Sequence, residues 1–293
     1  MPALRRYEMT IAYIKEEKKT NFFQGVEIEN FENNYVITIY DKKKNRVKNK
    51  LVKYINKFKI DTLVFSEDLK EYKEEICKMM QDYIVVINGR KVMEFLQFDI
   101  MKYILEMQNK DIRQEEVYII FKKDNSLDLN FLKIFIENFR MTNIVTNDLE
   151  RLKNVQDNLL YNDNILISVS NNKKKALKRA KYILNVNLSK EELEKYRINR
   201  EAIIVNIKED VQYDDISFAG INVRYLEIEF PDEYLERFER LGTKFDNVKL
   251  YESVLLKERM DKRKMEEVQE RIKNDGVRVT ALIGNNGILD LKS

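Results

Sequence analysis

The sequence predicts an α/β protein of two α/β lobes, the second a Rossmann-like parallel sheet, joined by a long helix and followed by a helical C-terminal tail. Three observations predict it. Short apolar runs recur between stretches whose apolar residues fall at helical spacing, from about residue 35 to about residue 230. In the C-terminal half these runs are apolar at nearly every position, as strands are when both faces of a parallel sheet are covered. A chain of 293 residues, 44% hydrophobic, is also long for one core and comfortable for two.

Residues 7–40 read as strands. The runs 7–14 and 22–28, with the polar stretch 15–21 between them, suggest a hairpin, and YVITIY at 35–40 is a further strand. The period then changes: Val47, Leu51, Tyr54, Ile55 and Phe58 share one helical face. TLVF at 62–65 is strand-like, and Leu69, Tyr72, Ile76 and Met79 mark another helical face. YIVVI at 83–87 is a strand stopped by Asn88-Gly89. A helix follows over 90–109, apolar around most of its circumference, and such a helix is buried on most sides. It reads as a spine packed between the lobes. The polar stretch 109–114 is the expected boundary, giving domains 1–110, 111–230 and 231–293.

The second lobe is more regular. VYIIF at 117–121 precedes a helix over 129–139, and NIVT at 143–146 precedes a helix carrying Leu149, Leu152, Val155, Leu159 and Leu160. ILISV at 165–169 leads to a short helix near 173–180. YILNV at 182–186 leads to a helix over 189–196, opened by the capping box Ser189…Glu192. AIIVNI at 202–207 closes the series, and 223–228 adds a candidate strand. The tail reads as helices over 232–241 and 249–274, the second ended by Asp275-Gly276. A strand over 277–283 and the turn Gly284-Asn285-Asn286-Gly287 follow.

Composition bounds the function mainly by exclusion. There is no histidine, which removes Ser-His-Asp and Cys-His catalysis and histidine-bearing metal sites. The single cysteine, Cys77, excludes an internal disulfide and thiolate metal clusters, so no metal site is expected. No G-x-x-x-x-G-K-[ST] is present, so P-loop nucleotide hydrolysis is not expected. Fifty-three basic residues stand against 50 acidic ones, a net charge of +3. That balance implies no strong field toward nucleic acid or an anionic membrane, and neither is an expected partner. No apolar run reaches the ~18–20 residues that span a bilayer, and no signal-peptide core follows the first residues. Cytoplasmic location is the expectation.

In open parallel sheets ligands sit beyond the carboxyl ends of the strands. The residues following each predicted strand are therefore the candidates for ligand binding: Glu67 and Asp68 after the strand at 62–65, Asn88 after 83–87, Asn147 and Asp148 after 143–146, Asn171 and Lys173 after 165–169. Asn and Asp are also ordinary turn and cap residues, so turn chemistry competes with a ligand role at each position.

The order of elements over residues 35–230, with Asp148 about 27 residues past the first strand of the second lobe, resembles the amino-acid and shikimate dehydrogenase class. That resemblance implies a dinucleotide held at the first strand-to-helix turn, with Asp148 on the adenosine ribose. The chain departs from it at the decisive place. The class's glycine-rich turn would fall at 122–128, and this stretch contains no glycine. Without glycine the backbone cannot come close to a pyrophosphate, so no cofactor is expected. Lys122 and Lys123 could attract a phosphate only through their side chains.

Three readings follow. The first is a Rossmann-like protein without dinucleotide chemistry, acting as a regulatory or scaffolding factor with a protein partner or a second copy of itself. The second is an enzyme or small-ligand binder, of NAD(P)-type oxidoreductase architecture, using the cleft between the lobes. The third is a nucleic-acid-associated protein using the lysines at 173–181 and the basic residues at 257–273.

Overall fold

The computed structural model describes residues 9–17, 25–40, 44–69, 75–76, 78, 84–122, 130–163, 167–213, 216–242 and 245–291. The chain divides into two compact units, Met1–Val92 with Phe230–Arg263, and Met93–Glu229 with Lys264–Ser293.

The elements run in chain order as follows. Strands β1 (Ile11–Glu16), β2 (Val26–Phe31) and β3 (Asn34–Ile39) precede helix α1 (Lys44–Phe58), then β4 (Thr62–Phe65) and β5 (Val85–Val86). Helices α2 (Arg90–Phe95) and α3 (Gln97–Met107) lead to β6 (Glu116–Ile120), α4 (Asn130–Asn138), β7 (Met141–Val145), α5 (Leu149–Asp163) and β8 (Ser168–Ser170). Next come β9 (Tyr182–Asn185), α6 (Lys190–Leu193), β10 (Ile203–Asn206), β11 (Ile221–Val223) and β12 (Tyr225–Glu229). Helices α7 (Asp232–Phe238), α8 (Asn247–Lys257) and α9 (Met265–Asn274) and strands β13 (Arg278–Gly284) and β14 (Gly287–Ile288) close the chain.

The first unit holds a five-stranded sheet in the order β2-β3-β1-β4-β5. Strand β1 lies between β3 and β4 and is parallel to both, while β2 is antiparallel to β3. The hairpin expected between the first two runs is therefore replaced. The hairpin joins β2 to β3 through Glu32 and Asn33, both at positive φ (46° and 63°), the pair of conformations a two-residue reverse turn of matching twist requires. Alternation along β1 sends Ala12 and Ile14 to one face, against Val47, Leu51 and Ile55 of α1. Tyr13 points to the other face, where its ring lies 5.7 Å from those of Phe31 and Phe238, on the side of α7 and α8. Its hydroxyl meets Ser253 of α8 at 3.0 Å, and burial pushes the phenol up to about 12. The helix expected over 69–79 lies mostly outside the described residues.

The second unit holds six parallel strands in the order β11-β10-β9-β6-β7-β8. Numbered along the chain from β6, this is 6-5-4-1-2-3, the doubly wound Rossmann order. The two α/β lobes and the Rossmann-like parallel sheet of the second are thus present. Ile120, Ile183 and Ile204 of the middle strands pack with Leu177, Leu193 and Tyr196 in one buried cluster. On the other side Phe135 of α4 contacts Phe98 of α3 and Phe139. A separate antiparallel sheet, β12-β13-β14, completes the unit.

Four further expectations are corrected. The helix over 90–109 is two segments, parted at Leu96, whose torsions (φ −92°, ψ 9°) leave the α region. Residues 173–179 form successive turns and not a helix: Asn172 caps the first turn, its Oδ1 accepting from Lys174 and Lys175 at 3.1 Å each, but beyond Ala176 the chain runs on in i→i+3 bonds, Lys178 to Lys175 and Ala180 to Leu177. The single helix over 249–274 is α8 and α9, separated at Arg259, which sits at φ 58° in the left-handed region. The strand at 223–228 is two strands, β11 in the parallel sheet and β12 in the antiparallel one, with Arg224 between them. The turn at 284–287 is the β13–β14 hairpin, with Gly287 at φ 108°.

Candidate functional site

The carboxyl ends of β6 and β9 mark the point where strand order reverses in the second unit, the usual ligand crevice of this topology. The chain fills part of it with its own groups. Asn187, two residues beyond β9 and buried, accepts the backbone N–H of Lys122, two residues beyond β6, at 3.0 Å. Lys122 Nζ reaches Glu192 Oε2 at 3.4 Å. Glu192 also accepts the backbone N–H of Ser189 at 2.9 Å, the capping-box bond expected from the sequence. That N–H, with the Lys122 charge, holds the Glu192 carboxyl below its ordinary value. On the other flank Lys208, beyond β10, donates its backbone N–H to Val186 at 2.9 Å and pairs through Nζ with Glu94 at 3.3 Å. Among the described residues of this rim, Lys122 and Lys208 are each matched by a glutamate. The turn at 122–128 lies outside the described residues from 123 on.

Beside this rim runs a ladder of buried asparagines that sequence reasoning missed. Asn185 Nδ2 donates to Asn206 Oδ1 at 2.9 Å, and Asn206 Nδ2 donates to Asn222 Oδ1 at 2.7 Å. Asn222 Nδ2 reaches Asn285 Oδ1 in the β13–β14 turn at 3.4 Å and the carbonyl of Val211 at 2.9 Å. Asn185 further bonds both N–H and C=O of Leu188, at 2.9 and 3.0 Å. The three strand asparagines are 1%, 0% and 6% exposed, and their amides are spent on each other and on backbone. The ladder ties four segments together and leaves no group aimed at a ligand.

The seven residues picked from the sequence fall in two groups. In the first unit, Glu67 and Asp68 follow β4, and Asn88 follows its neighbour β5, so all three share one sheet rim. Glu67 is ion-paired with Lys249, Asp68 accepts from the Ser66 hydroxyl, and Asn88 Oδ1 accepts the Arg90 N–H at 3.0 Å. In the second unit, Asn147 and Asp148 follow β7, and Asn171 and Lys173 follow its neighbour β8. Asp148 is buried just before α5, its N–H on the Thr146 hydroxyl at 3.2 Å, whereas Asn147, Asn171 and Lys173 are exposed.

Two further groups are chemically conspicuous. Lys110 Nζ donates to the Tyr182 hydroxyl at 2.7 Å, which donates to Gln108 Oε1 at 2.8 Å. Tyr182 opens β9, at the end of the strand away from the rim, and burial raises its pKa. A phenol made harder to ionise is poorly suited to proton transfer near neutrality. In the first unit Glu252 of α8 is 3% exposed and accepts the backbone N–H of Lys91 in α2 at 3.1 Å. Burial pushes its carboxyl up to about 7, against the pull of the N–H groups of Lys91, Asn88 and Val92. Among the described residues no group of three or more Cys, Asp or Glu side chains is placed to hold a metal ion. No described helix is long and apolar enough to cross a membrane.

No family model matches the sequence, and no curated protein does. Among solved structures the chain is similar to L-tryptophan dehydrogenase from Nostoc punctiforme, at 10% identity and a TM-score of 0.34, over 83% of this chain and 75% of that one. It is also similar to ornithine carbamoyltransferase from Pyrococcus furiosus, at 10% identity and a TM-score of 0.29, over 68% and 71%. Aspartate transcarbamoylase from Trypanosoma cruzi stands at 10% identity and a TM-score of 0.25, over 67% and 70%. These are distant likenesses of chain path, and nothing about activity follows from them.

Proposed function

We propose that this chain is a Rossmann-type protein that does no dinucleotide chemistry and serves as a regulatory or scaffolding factor. One observation supports the reading above the others: the amide of Lys122, two residues beyond β6, is already bonded to Asn187 at the point where strand order reverses. In dinucleotide-binding sheets the backbone of this turn approaches the pyrophosphate and the following helix supplies N–H groups to it. Here the turn opens with an internally satisfied amide, has no glycine over 122–128, and has its lysine drawn to Glu192. The absence of histidine supports the same reading by narrowing the available proton-transfer groups to carboxylates, lysines and tyrosines.

Isothermal titration of the full chain with NAD, NADP and FAD tests it. No heat of binding is expected at ligand concentrations up to about 1 mM, where a site weaker than about −4 kcal/mol goes unfilled. Micromolar binding of any of the three, lost in the Lys122→Glu variant, would overturn the proposal.

A further inference from the structure

The chain's excess of basic over acidic residues is three, yet six cations fall within residues 173–181: Lys173, Lys174, Lys175, Lys178, Arg179 and Lys181. No acidic residue occurs anywhere in 164–190. The rest of the molecule is therefore net acidic, although a second basic stretch, 42–59 in the first unit, carries nine cations and no acidic residue, and there Lys48 pairs with Glu75. All six side chains are exposed, and among the described residues none forms an ion pair. Elsewhere pairing is common: Lys122, Arg140, Lys208 and Arg224 each have a carboxylate partner.

The backbone beneath the cluster is built. Asn172 fixes the first turn through the amides of Lys174 and Lys175. Leu177 and Ala180, both 0% exposed, anchor the segment in the core. The carbonyls of Lys173 and Leu177 accept the N–H groups of Arg197 at 2.8 Å and Asn199 at 3.0 Å, bringing the exposed Arg197 alongside. The acidic residues nearest in sequence to Arg197 are the exposed Glu194 and Glu201. Turns, unlike a helix, let consecutive lysines face solvent together, so the charges are presented and not distributed around an axis.

We infer that this surface docks on the phosphodiester backbone of double-stranded nucleic acid, without reading its sequence. Five of these seven cations are lysines, point charges toward phosphates without the planar fork by which arginine recognises base edges. A single-strand binder needs exposed aromatic rings for stacking, and the tyrosines of this region, Tyr182 and Tyr196, are buried. A bilayer surface would favour apolar side chains among the lysines, and the exposed large apolar residues (Val85, Leu149, Leu160, Ile216, Leu235 and Ile288) all lie outside 171–200. The expectation from net charge alone, that nucleic acid is not a partner, averages this surface against the acidic remainder.

The test is fluorescence anisotropy of the full chain with labelled duplexes of about 30 base pairs, one DNA and one RNA, across a KCl series from about 50 to 200 mM. Binding to either duplex is expected, weakening about a hundredfold over that series if about four phosphates are contacted. The K173E/K174E/K175E variant should lose at least about tenfold at 100 mM salt, with the salt slope reduced by about three. A control carrying K102E/K133E/K153E, three exposed lysines of the same unit, should lose less than about threefold. Both variants are first required to match the wild type in circular dichroism and thermal midpoint; if 173–175 reversal fails this, K178E/R179E replaces it. Absence of duplex binding at the lowest salt would overturn the inference. So would equal loss in the control, tighter binding to single strands, or binding to phosphatidylserine vesicles in place of duplexes. This result is independent of the cofactor titration above.

Discussion

Replacing Glu252 with glutamine isolates the most heavily buried carboxyl among the described residues of the first unit. Its pKa stands near 7 in the folded chain against an ordinary value of 4.5, with burial as the main cause. Because the folded state holds the proton more tightly, this group's stabilisation is complete below about pH 4.5. It is lost progressively as pH rises through 7. A displacement of roughly 2.5 units corresponds to about 3 kcal/mol between the two limits. Glutamine keeps the size and the acceptor oxygen facing Lys91 but cannot ionise. Glu252→Gln should therefore match the wild type within about 1 kcal/mol at pH 5 and exceed it by about 2–3 kcal/mol at pH 7.5. Urea denaturation of both proteins at the two pH values measures this, followed by tryptophan-free probes such as far-UV circular dichroism, since the chain has no tryptophan. A gap that is constant with pH, or that favours the wild type more as pH rises, would refute the reasoning. It would mean that the amides of Asn88, Lys91 and Val92 stabilise the anion more than burial opposes it.

The asparagine ladder predicts a large effect from a small change: Asn206→Ala strands the amides of Asn185 and Asn222, at a cost of about 2–4 kcal/mol in urea unfolding. Gly220 has no room for a side chain, since a Cβ there would lie 2.1 Å from the Ala202 carbonyl oxygen. Gly220→Ala should cost more than about 2 kcal/mol, whereas Gly242→Ala, with open space but φ +82°, should cost about 1 kcal/mol. Tyr13→Phe removes one buried hydroxyl while Ser253 keeps its bond to the Leu250 carbonyl at 2.6 Å, so a loss of only about 1 kcal/mol is expected.

How much of this was legible in the sequence depended on whether the signal was local. The middle strands of the second unit's parallel sheet are legible because both their faces are covered: every residue of β9 and β10 is buried, and β6 and β7 are half-buried only at their first and third residues. Pairing was less legible. That β1 lies between β3 and β4 is decided by contacts 23 and more residues away, including the Ile11 N–H on Asn34. The interruptions at Leu96 and Arg259 carry neither glycine nor proline, the usual markers of a break. At the rim, Asn187 could be seen to follow its strand, but its partner Lys122 stands 65 residues earlier. The ladder is not legible for a simpler reason: the sequence places Asn185 and Asn206 inside strands, but only the register of three adjacent strands brings their amides together with that of Asn222.

The division of the chain has a consequence for its biosynthesis. The first unit needs α7 and α8, which emerge from the ribosome only after the whole six-stranded sheet of the second has been translated. Tyr13 waits 240 residues for Ser253, tens of seconds at about 5–20 residues per second. During that interval the nascent β-sheet of the first unit has its aromatic face bare, and this face is where a chaperone would be expected to bind.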